Sequence, residues 1–385
     1  MLQSDLVQAA LRLLADLGVR EVCVAAGARN APVISALLAS QNIKLWNFFE
    51  ERSAAFFALG RIQATRRPVA VLTTSGTAAA ELLPAVIEAH YQSLPLIAFT
   101  ADRPKSYRGS GAPQAIEQTH LFASYTATTW DLDRTTPIPS ATNANLSVPL
   151  HLNLCLDEPL ATSIPGIDFN IPPVSRAQEA PIPILPDLTA FTSATRPVIL
   201  AAGLTPEDAE QASPVLLALK APVLAEATSN LWSLPTLSHL LQPASDATLK
   251  SLSPNHVLRL GSVPTSRWWR DLEDNPDIPV INLTRAPFPG LARRTNVTLF
   301  PWSTLAHLHP QPCQAPLPPP PVQADSTPYP RSEPALLNAL QRTFTPGSQV
   351  FLGNSLPIRE FNDTASPLPP GITFHANRGA NGIDG

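Results

Sequence analysis

Residues 69–90 read VAVLTTSGTAAAELLPAVIEAH, and the fold follows from how this stretch divides. Its first part, 69–73, is a short apolar run with β-branched residues, the pattern of a strand covered on both faces. Thr74-Ser75-Gly76-Thr77 forms a turn of small residues, and 78–90 returns to an apolar pattern of helical length. Strand, tight turn and helix in that order build a parallel α/β sheet. Outward from this unit, similar runs lie at 22–25, 96–100 and 148–154, bounded by Gly, Pro or Asp. The run at 22–25 enters a turn at Gly27 and a helical pattern from Pro32. Residues 1–20 place Leu6, Val7, Ala10, Leu11, Leu14 and Leu17 on one face of an amphipathic helix. Open α/β sheets bind ligands at the turns leaving the carboxyl ends of their strands, so chemistry is expected around Gly27 and Ser75-Gly76.

A second strand and helix series follows a Pro-rich stretch, with strand-like runs at 198–202, 221–225, 256–260 and 280–283. Proline then becomes dense, including Pro316-Leu317-Pro318-Pro319-Pro320-Pro321, a composition that favours extended polyproline geometry. After it, 333–344 reads as a helix and 349–352 and 372–376 as strands. A chain of 385 residues exceeds what one core ordinarily serves. The expected organisation is a first α/β domain over 1–175, a central α/β domain over 176–310, a linker over 311–332, and the start of a third domain over 333–385.

Composition narrows the function classes. The chain is 44% hydrophobic and 15% charged, with a formal net charge of -4, so it has no overall basic field for nucleic acid or an anionic membrane. The amphipathic start lacks a signal peptide's basic and apolar blocks, which points to the cytoplasm. Cys23, Cys155 and Cys313 show no metal-ligand or disulfide spacing, and the histidines show no HxxxH or HExxH spacing. No GxSxG elbow occurs.

The segment Phe48-Phe49-Glu50-Glu51-Arg52 leads acidic residues into an apolar helix. Taken alone, such carboxylates complement a helix dipole. In order along the chain, however, stand Ala25-Ala26-Gly27-Ala28-Arg29-Asn30, Glu50-Glu51, Thr74-Ser75-Gly76-Thr77, Ala101-Asp102-Arg103-Pro104 and Gly111-Ala112-Pro113-Gln114. Further on come Leu260-Gly261-Ser262 with Ser266-Arg267, then Gly353-Asn354-Ser355-Leu356-Pro357-Ile358-Arg359, and Asn377-Arg378-Gly379-Ala380-Asn381-Gly382. Together they resemble the family of thiamine-diphosphate-dependent 2-succinyl-5-enolpyruvyl-6-hydroxy-3-cyclohexene-1-carboxylate synthases of menaquinone biosynthesis. The resemblance implies the thiamine-diphosphate-enzyme fold: a parallel-sheet pyrimidine-binding domain, a second α/β domain and the start of a diphosphate-binding domain.

It also implies roles. Glu51 is the catalytic glutamate that hydrogen-bonds the cofactor's aminopyrimidine ring and promotes its imino tautomer, and Glu50 is a structural neighbour. Ser75, Gly76, Thr77 and Asn354 join Glu51 in binding thiamine diphosphate. Arg29, Arg103, Arg267, Arg359 and Arg378, with Gln114 and Ser355, receive substrate carboxylates, for which the guanidinium fork is suited. For any single arginine a plain ion pair is an equal reading. The implied reaction is decarboxylation of 2-oxoglutarate and conjugate addition of the succinyl-semialdehyde-thiamine carbanion to isochorismate.

Two positions depart from the family. Ala28 stands where serine is usual, and Pro113 where asparagine is common, each a lost hydrogen bond of about 0.5–1.5 kcal/mol. The family's Gly-Asp motif with its downstream asparagine does not occur before Gly385. Ligands for Mg2+ or Mn2+ and the diphosphate are therefore expected from a further C-terminal segment, and no metal ligand is assigned among these residues. A homodimer, a homotetramer or a complementary C-terminal chain is expected. Two alternatives stay open: another thiamine-diphosphate 2-oxoacid decarboxylase or carboligase, and a non-catalytic derivative that only binds.

Overall fold

The structure is a computed structural model that describes residues 1–160, 163–170, 172, 184–319 and 331–380. It divides into two compact units, Met1–Glu179 and Ala180–Gly385. In the first, the strands are β1 (Glu21–Ala25), β2 (Lys44–Phe48), β3 (Val69–Thr73), β4 (Leu96–Asp102), β5 (Thr129–Leu132) and β6 (Leu150–Cys155). They form one parallel sheet in the order β2-β1-β3-β4-β6-β5. Alternation along the central strands explains why both faces are covered. Val22, Val24, Ala70, Leu72, Ile97 and Phe99 meet the apolar faces of α1 (Gln3–Asp16) and α2 (Ala31–Leu38). Cys23, Val69, Val71, Leu96 and Ala98 point the other way, toward α3 (Glu51–Thr65).

The helix expected over 78–90 is broken into α4 (Thr77–Ala80) and α5 (Leu83–Gln92). Pro84 lies in the first turn of α5, where its missing N–H costs nothing and where it favours a new helix start. The strands at 44–48 and 129–132, absent from the sequence reading, lie at the two edges of the sheet.

The second unit holds β7 (Pro197–Ala202), β8 (Val223–Ala225), β9 (Leu241–Pro243), β10 (His256–Gly261), β11 (Val280–Thr284) and β12 (Val297–Pro301). These also form a parallel sheet, ordered β12-β11-β10-β7-β8-β9. Its helices are α6 (Thr189–Thr192), α7 (Pro206–Leu219), α8 (Asp246–Leu252) and α9 (Arg267–Asp271). The strand order reverses between β7 and β10, the usual place for a ligand crevice. Here the two turns are bonded to each other: Ser262 N–H donates to Ala202 O at 2.6 Å and Ser262 Oγ to Gly203 O at 3.3 Å.

The tail of the unit carries α10 (Glu333–Gln341), β13 (Gln349–Phe351), α11 (Leu356–Thr364) and β14 (Thr373–His375), with β13 and β14 paired in parallel. Ile358, Phe361, Ile372 and Phe374 share one core with Leu204, Leu231 and Trp232. Sequence expectation draws domain boundaries at 310 and 333, whereas both segments lie in the one unit Ala180–Gly385. The start of the expected linker is pinned to this unit, since Cys313 N–H donates to Leu219 O at 2.8 Å and Gln314 N–H to Thr192 O at 2.9 Å. Residues 320–330 of that linker lie outside the described residues. No helix among the described residues is long and apolar enough to cross a membrane.

Candidate active site

The first unit brings four turns to the carboxyl edge of its sheet, because β1 to β4 run in parallel. After β1, the buried Asn30 side chain accepts from Gly27 N–H at 2.8 Å and donates to Ala25 O at 2.8 Å, which shapes the turn. A Cβ on Gly27 would lie 2.5 Å from Thr74 Cβ, so a glycine is what lets the turns after β1 and β3 touch. Gly76 has φ +83°, a backbone that side-chain-bearing residues rarely adopt, and a Cβ there would come within 3.2 Å of Gln114 Cα. Arg103 follows β4; its Nε donates to Pro113 O at 2.8 Å and its guanidinium lies 5.4 Å from the Tyr107 ring centre. Gln114 itself has φ 58°, a left-handed conformation unusual for its type. The turns of Arg29, Ser75, Gly76 and Thr77 and the segments of Arg103 and Gln114 are thus in mutual contact along one edge.

Helix α3 separates its two acidic residues. Glu50 is the N-cap and accepts from Arg52 N–H at 3.0 Å and Ser53 N–H at 2.6 Å; the Ser53 hydroxyl first, and then these amides, hold its carboxyl below the usual range. Glu51, the first residue of α3, is half-buried, and the cap does not consume its carboxyl. Arg29 is 7% exposed, donates to Leu156 O at 3.0 Å and pairs with Glu158 at 3.1 Å. The Glu158 side chain is 71% exposed, so this partner can leave for water.

A buried polar network that sequence reasoning missed sits beneath these turns. Gln118 is fully buried; its Oε1 accepts from Gly76 N–H at 3.1 Å, and its Nε2 donates to Ala101 O at 3.0 Å and Asn153 Oδ1 at 2.8 Å. Asn153 in turn donates to Asp102 at 3.1 Å and Asp131 at 2.9 Å, and Arg108 bridges the same two carboxylates at 3.2 and 2.7 Å. Burial acts to raise the Asp131 pKa, yet donation from Arg108 and Asn153 prevails and brings it down to about 2. Asp102 also accepts from Arg103 N–H at 2.8 Å, so the network fixes the backbone on both sides of the edge. The only signal available in sequence was the recurrence of glutamine four residues after Gln114. Replacing Gln118 with leucine removes its bonds to Gly76 N–H, Ala101 O and Asn153 Oδ1, of which the last keeps the Thr100 hydroxyl at 2.8 Å; the expected loss is about 2–4 kcal/mol of unfolding free energy in urea titration.

In the second unit, the parallel pairing of β13 and β14 sends residues 352–356 and 376–380 from one edge. Asn354 Nδ2 donates to Asn377 O at 2.6 Å and joins the two loops. Ser355 caps α11 with φ 70° and ψ -118°, a strained conformation for a residue with a side chain. Arg359 is exposed on α11, and Arg378 is half-buried in the loop after β14. Arg267 is exposed at the start of α9, whose N-cap Ser266 accepts from Trp269 N–H at 3.3 Å.

A parallel sheet with a tight glycine turn at its carboxyl edge and a helix that opens on Glu50-Glu51 is in keeping with the thiamine-diphosphate enzymes. Residues 4–121 match the family described as thiamine pyrophosphate enzyme, N-terminal TPP binding domain. A thiamine diphosphate-dependent 4-hydroxybenzoylformate decarboxylase from Rhodococcus jostii RHA1 matches in fold with a TM-score of 0.69, over 97% of this chain and 75% of that chain, at 17% identity. A 2-succinyl-5-enolpyruvyl-6-hydroxy-3-cyclohexene-1-carboxylate synthase from Bdellovibrio bacteriovorus is 39% identical, over 100% of this chain and 76% of that protein. The enzyme of the same name from Akkermansia muciniphila is 40% identical, over 96% of this chain and 71% of that protein. The chain belongs to the 2-succinyl-5-enolpyruvyl-6-hydroxy-3-cyclohexene-1-carboxylate synthase family.

At the turn after β3, the space that a Cβ on Gly76 would need is taken by Gln114, and Ser75 beside it is 2% exposed. For the metal, no group of three or more His, Cys, Asp or Glu side chains that could hold an ion occurs among the described residues.

Proposed function

We propose that the chain acts in menaquinone biosynthesis, joining a four-carbon unit derived from 2-oxoglutarate to isochorismate to give the product for which its relatives are named. Support comes above all from the contact of the Gly27, Gly76, Arg103 and Gln114 segments along one sheet edge in a chain of this family. Bound thiamine diphosphate supplies the electron sink for loss of CO2 and for carbon–carbon bond formation.

The chain's own residues bind and orient. The Glu51 carboxyl holds a proton shared with a nitrogen of the aminopyrimidine ring, which the Ser75-Gly76-Thr77 turn receives. Asn354, tied to Asn377 O, is a polar side chain for the cofactor. Arg29 exchanges Glu158 for a substrate carboxylate, and Arg103 and Gln114 take part in the same recognition. In the second unit Arg267, Ser355, Arg359 and Arg378 serve substrate carboxylates, where paired N–H donors give both energy and direction. Mg2+ or Mn2+ neutralises the diphosphate. The working form is a cytoplasmic homodimer or homotetramer, or an assembly with a complementary C-terminal chain; the fully exposed Phe49 beside Glu50 and Glu51 is an apolar group that a second subunit would cover.

The test supplies the protein with thiamine diphosphate, Mg2+, 2-oxoglutarate and isochorismate and follows isochorismate and CO2 together. Loss of isochorismate equimolar with CO2 release, with formation of the coupled product, is expected. Release of CO2 from 2-oxoglutarate or a simpler oxoacid with isochorismate untouched would replace this reading by that of another decarboxylase. Cofactor binding without turnover of any oxoacid would leave a binding protein.

A further inference from the structure

Arg29 and Glu158 form an ion pair whose two halves stand in different surroundings. The Arg29 side chain is 8% exposed and the Glu158 side chain 71%. Nη1 of Arg29 donates to Leu156 O at 3.0 Å, which holds one end of the guanidinium from within, and Nη2 donates to Glu158 Oε1 at 3.1 Å. Among the described residues, Glu158 is the one carboxylate paired with this guanidinium.

Both partners stand on the sheet edge of the proposed site. Arg29 follows β1, in the turn whose Gly27 touches Thr74. Glu158 follows β6, and the N–H of Leu156, two residues before it, donates to Asp102 O at 3.0 Å, next to Arg103. The backbone at 157–158 is held separately, since Asp157 N–H donates to Gln3 Oε1 at 3.1 Å and Glu158 N–H to Asp157 Oδ1 at 2.8 Å. Neither bond involves the Glu158 carboxyl, which can turn away while its backbone stays in place.

A guanidinium taken out of water needs a compensating anion, whereas a carboxylate in water does not. Loss of the contact therefore leaves Glu158 solvated and Arg29 a poorly solvated charge without an anion. A carboxylate arriving from solution binds best in that condition, and Glu158, tethered beside Arg29 at a high effective concentration, competes with it.

We propose that Glu158 is an internal competitor at Arg29: it neutralises the guanidinium before a ligand arrives, gives way to a ligand carboxylate, and by competing sets the affinity of that ligand. That the ligand is a carboxylate substrate rests on the function proposed above. Exchange of one carboxylate for another keeps the buried charge compensated, and the apparent affinity is the intrinsic one reduced by the fraction of time that Glu158 is away.

Glu158→Gln removes the competing charge and keeps the size of the side chain. The full chain, in the presence of thiamine diphosphate and Mg2+, is titrated calorimetrically with isochorismate and with succinate, a dicarboxylate without the oxo group, each alone so that no turnover occurs. At least one of the two is expected to bind Glu158→Gln roughly three- to fivefold more tightly than the parent. Without ligand, the variant is expected to melt at a lower temperature than the parent, because Arg29 has lost its anion. Damage to the fold does not tighten binding, so these opposite shifts separate competition from a structural role. Glu158→Ala supplies the second arm: formate, small enough to replace the deleted carboxyl, is expected to raise its melting temperature above that in an equal concentration of chloride, and not to do so in the parent. Unchanged or weaker binding of both dicarboxylates by Glu158→Gln overturns the proposal, because a residue that orients Arg29 or itself holds the ligand acts in that sense. If parent and variants bind neither dicarboxylate, the substrate reading fails; the exchange at Arg29 then stands if formate restores Glu158→Ala and falls if it does not.

Discussion

Glu51→Gln is expected to lower the rate of isochorismate consumption by roughly 10²–10⁴-fold, the range that a positioned general acid or base contributes. The reason lies in how the start of α3 divides its labour. Glu50 spends its carboxyl on the Arg52 and Ser53 amides, so Glu51 is free to face a ligand. An amide in its place can still hydrogen-bond a ring nitrogen, but it cannot hold the shared proton. Cofactor affinity, read by calorimetry, should therefore change far less than turnover. Glu50→Gln is the matched control: it weakens the cap and costs about 0.5–2 kcal/mol of stability, with a smaller effect on rate. Turnover of Glu51→Gln within about threefold of the parent would remove the assignment, since general acid–base help is worth far more than that.

The second large effect is acid sensitivity in the first unit. His151 is fully buried on β6, its Nε2 lies 2.7 Å from Thr100 Oγ1, and its ring meets Phe122 edge-on at 4.8 Å. Burial pushes its pKa down from 6.5 to about 3, against a weaker upward pull from the Asp131 charge. The folded protein thus keeps this ring neutral where the unfolded chain would protonate it. The stabilisation is complete above pH 6.5 and is lost as pH falls toward 3, an expected total of about 3–5 kcal/mol. Urea titrations at several pH values check this. His151→Gln, which cannot protonate, should flatten most of the slope between those limits, and equal slopes for parent and variant would show that another group governs it. The Asp131 contribution is lost between 3.8 and about 2, so above pH 4 the slope reports His151 without it.

Which strands could be read from sequence follows from their place in the sheets. Central strands such as 69–73 and 197–202 are buried on both faces and appear as apolar runs. The four strands that went unread, β2, β5, β9 and β12, are the edge strands of the two sheets. β2 and β12 mix exposed and half-buried positions, and β9 is only Leu241–Pro243, so neither gives a long apolar run. The turns that carry the proposed site residues Gly76 and Arg103 were legible because a strand precedes each of them. Gln118, Asn153 and Asp131 were not, because their relation is one of hydrogen bonds across the sheet with no fixed spacing along the chain.

The bonds from Ser262 to Ala202 and Gly203 have a wider meaning for the second sheet. Its strand order is that of folds that lodge a nucleotide, yet the lips of its mouth are sewn together from within. ADP or NAD offered to the protein should therefore find no berth there. What remains useful is stiffness: a braced slab that grips α11 through Ala227 and β14 through Asn230.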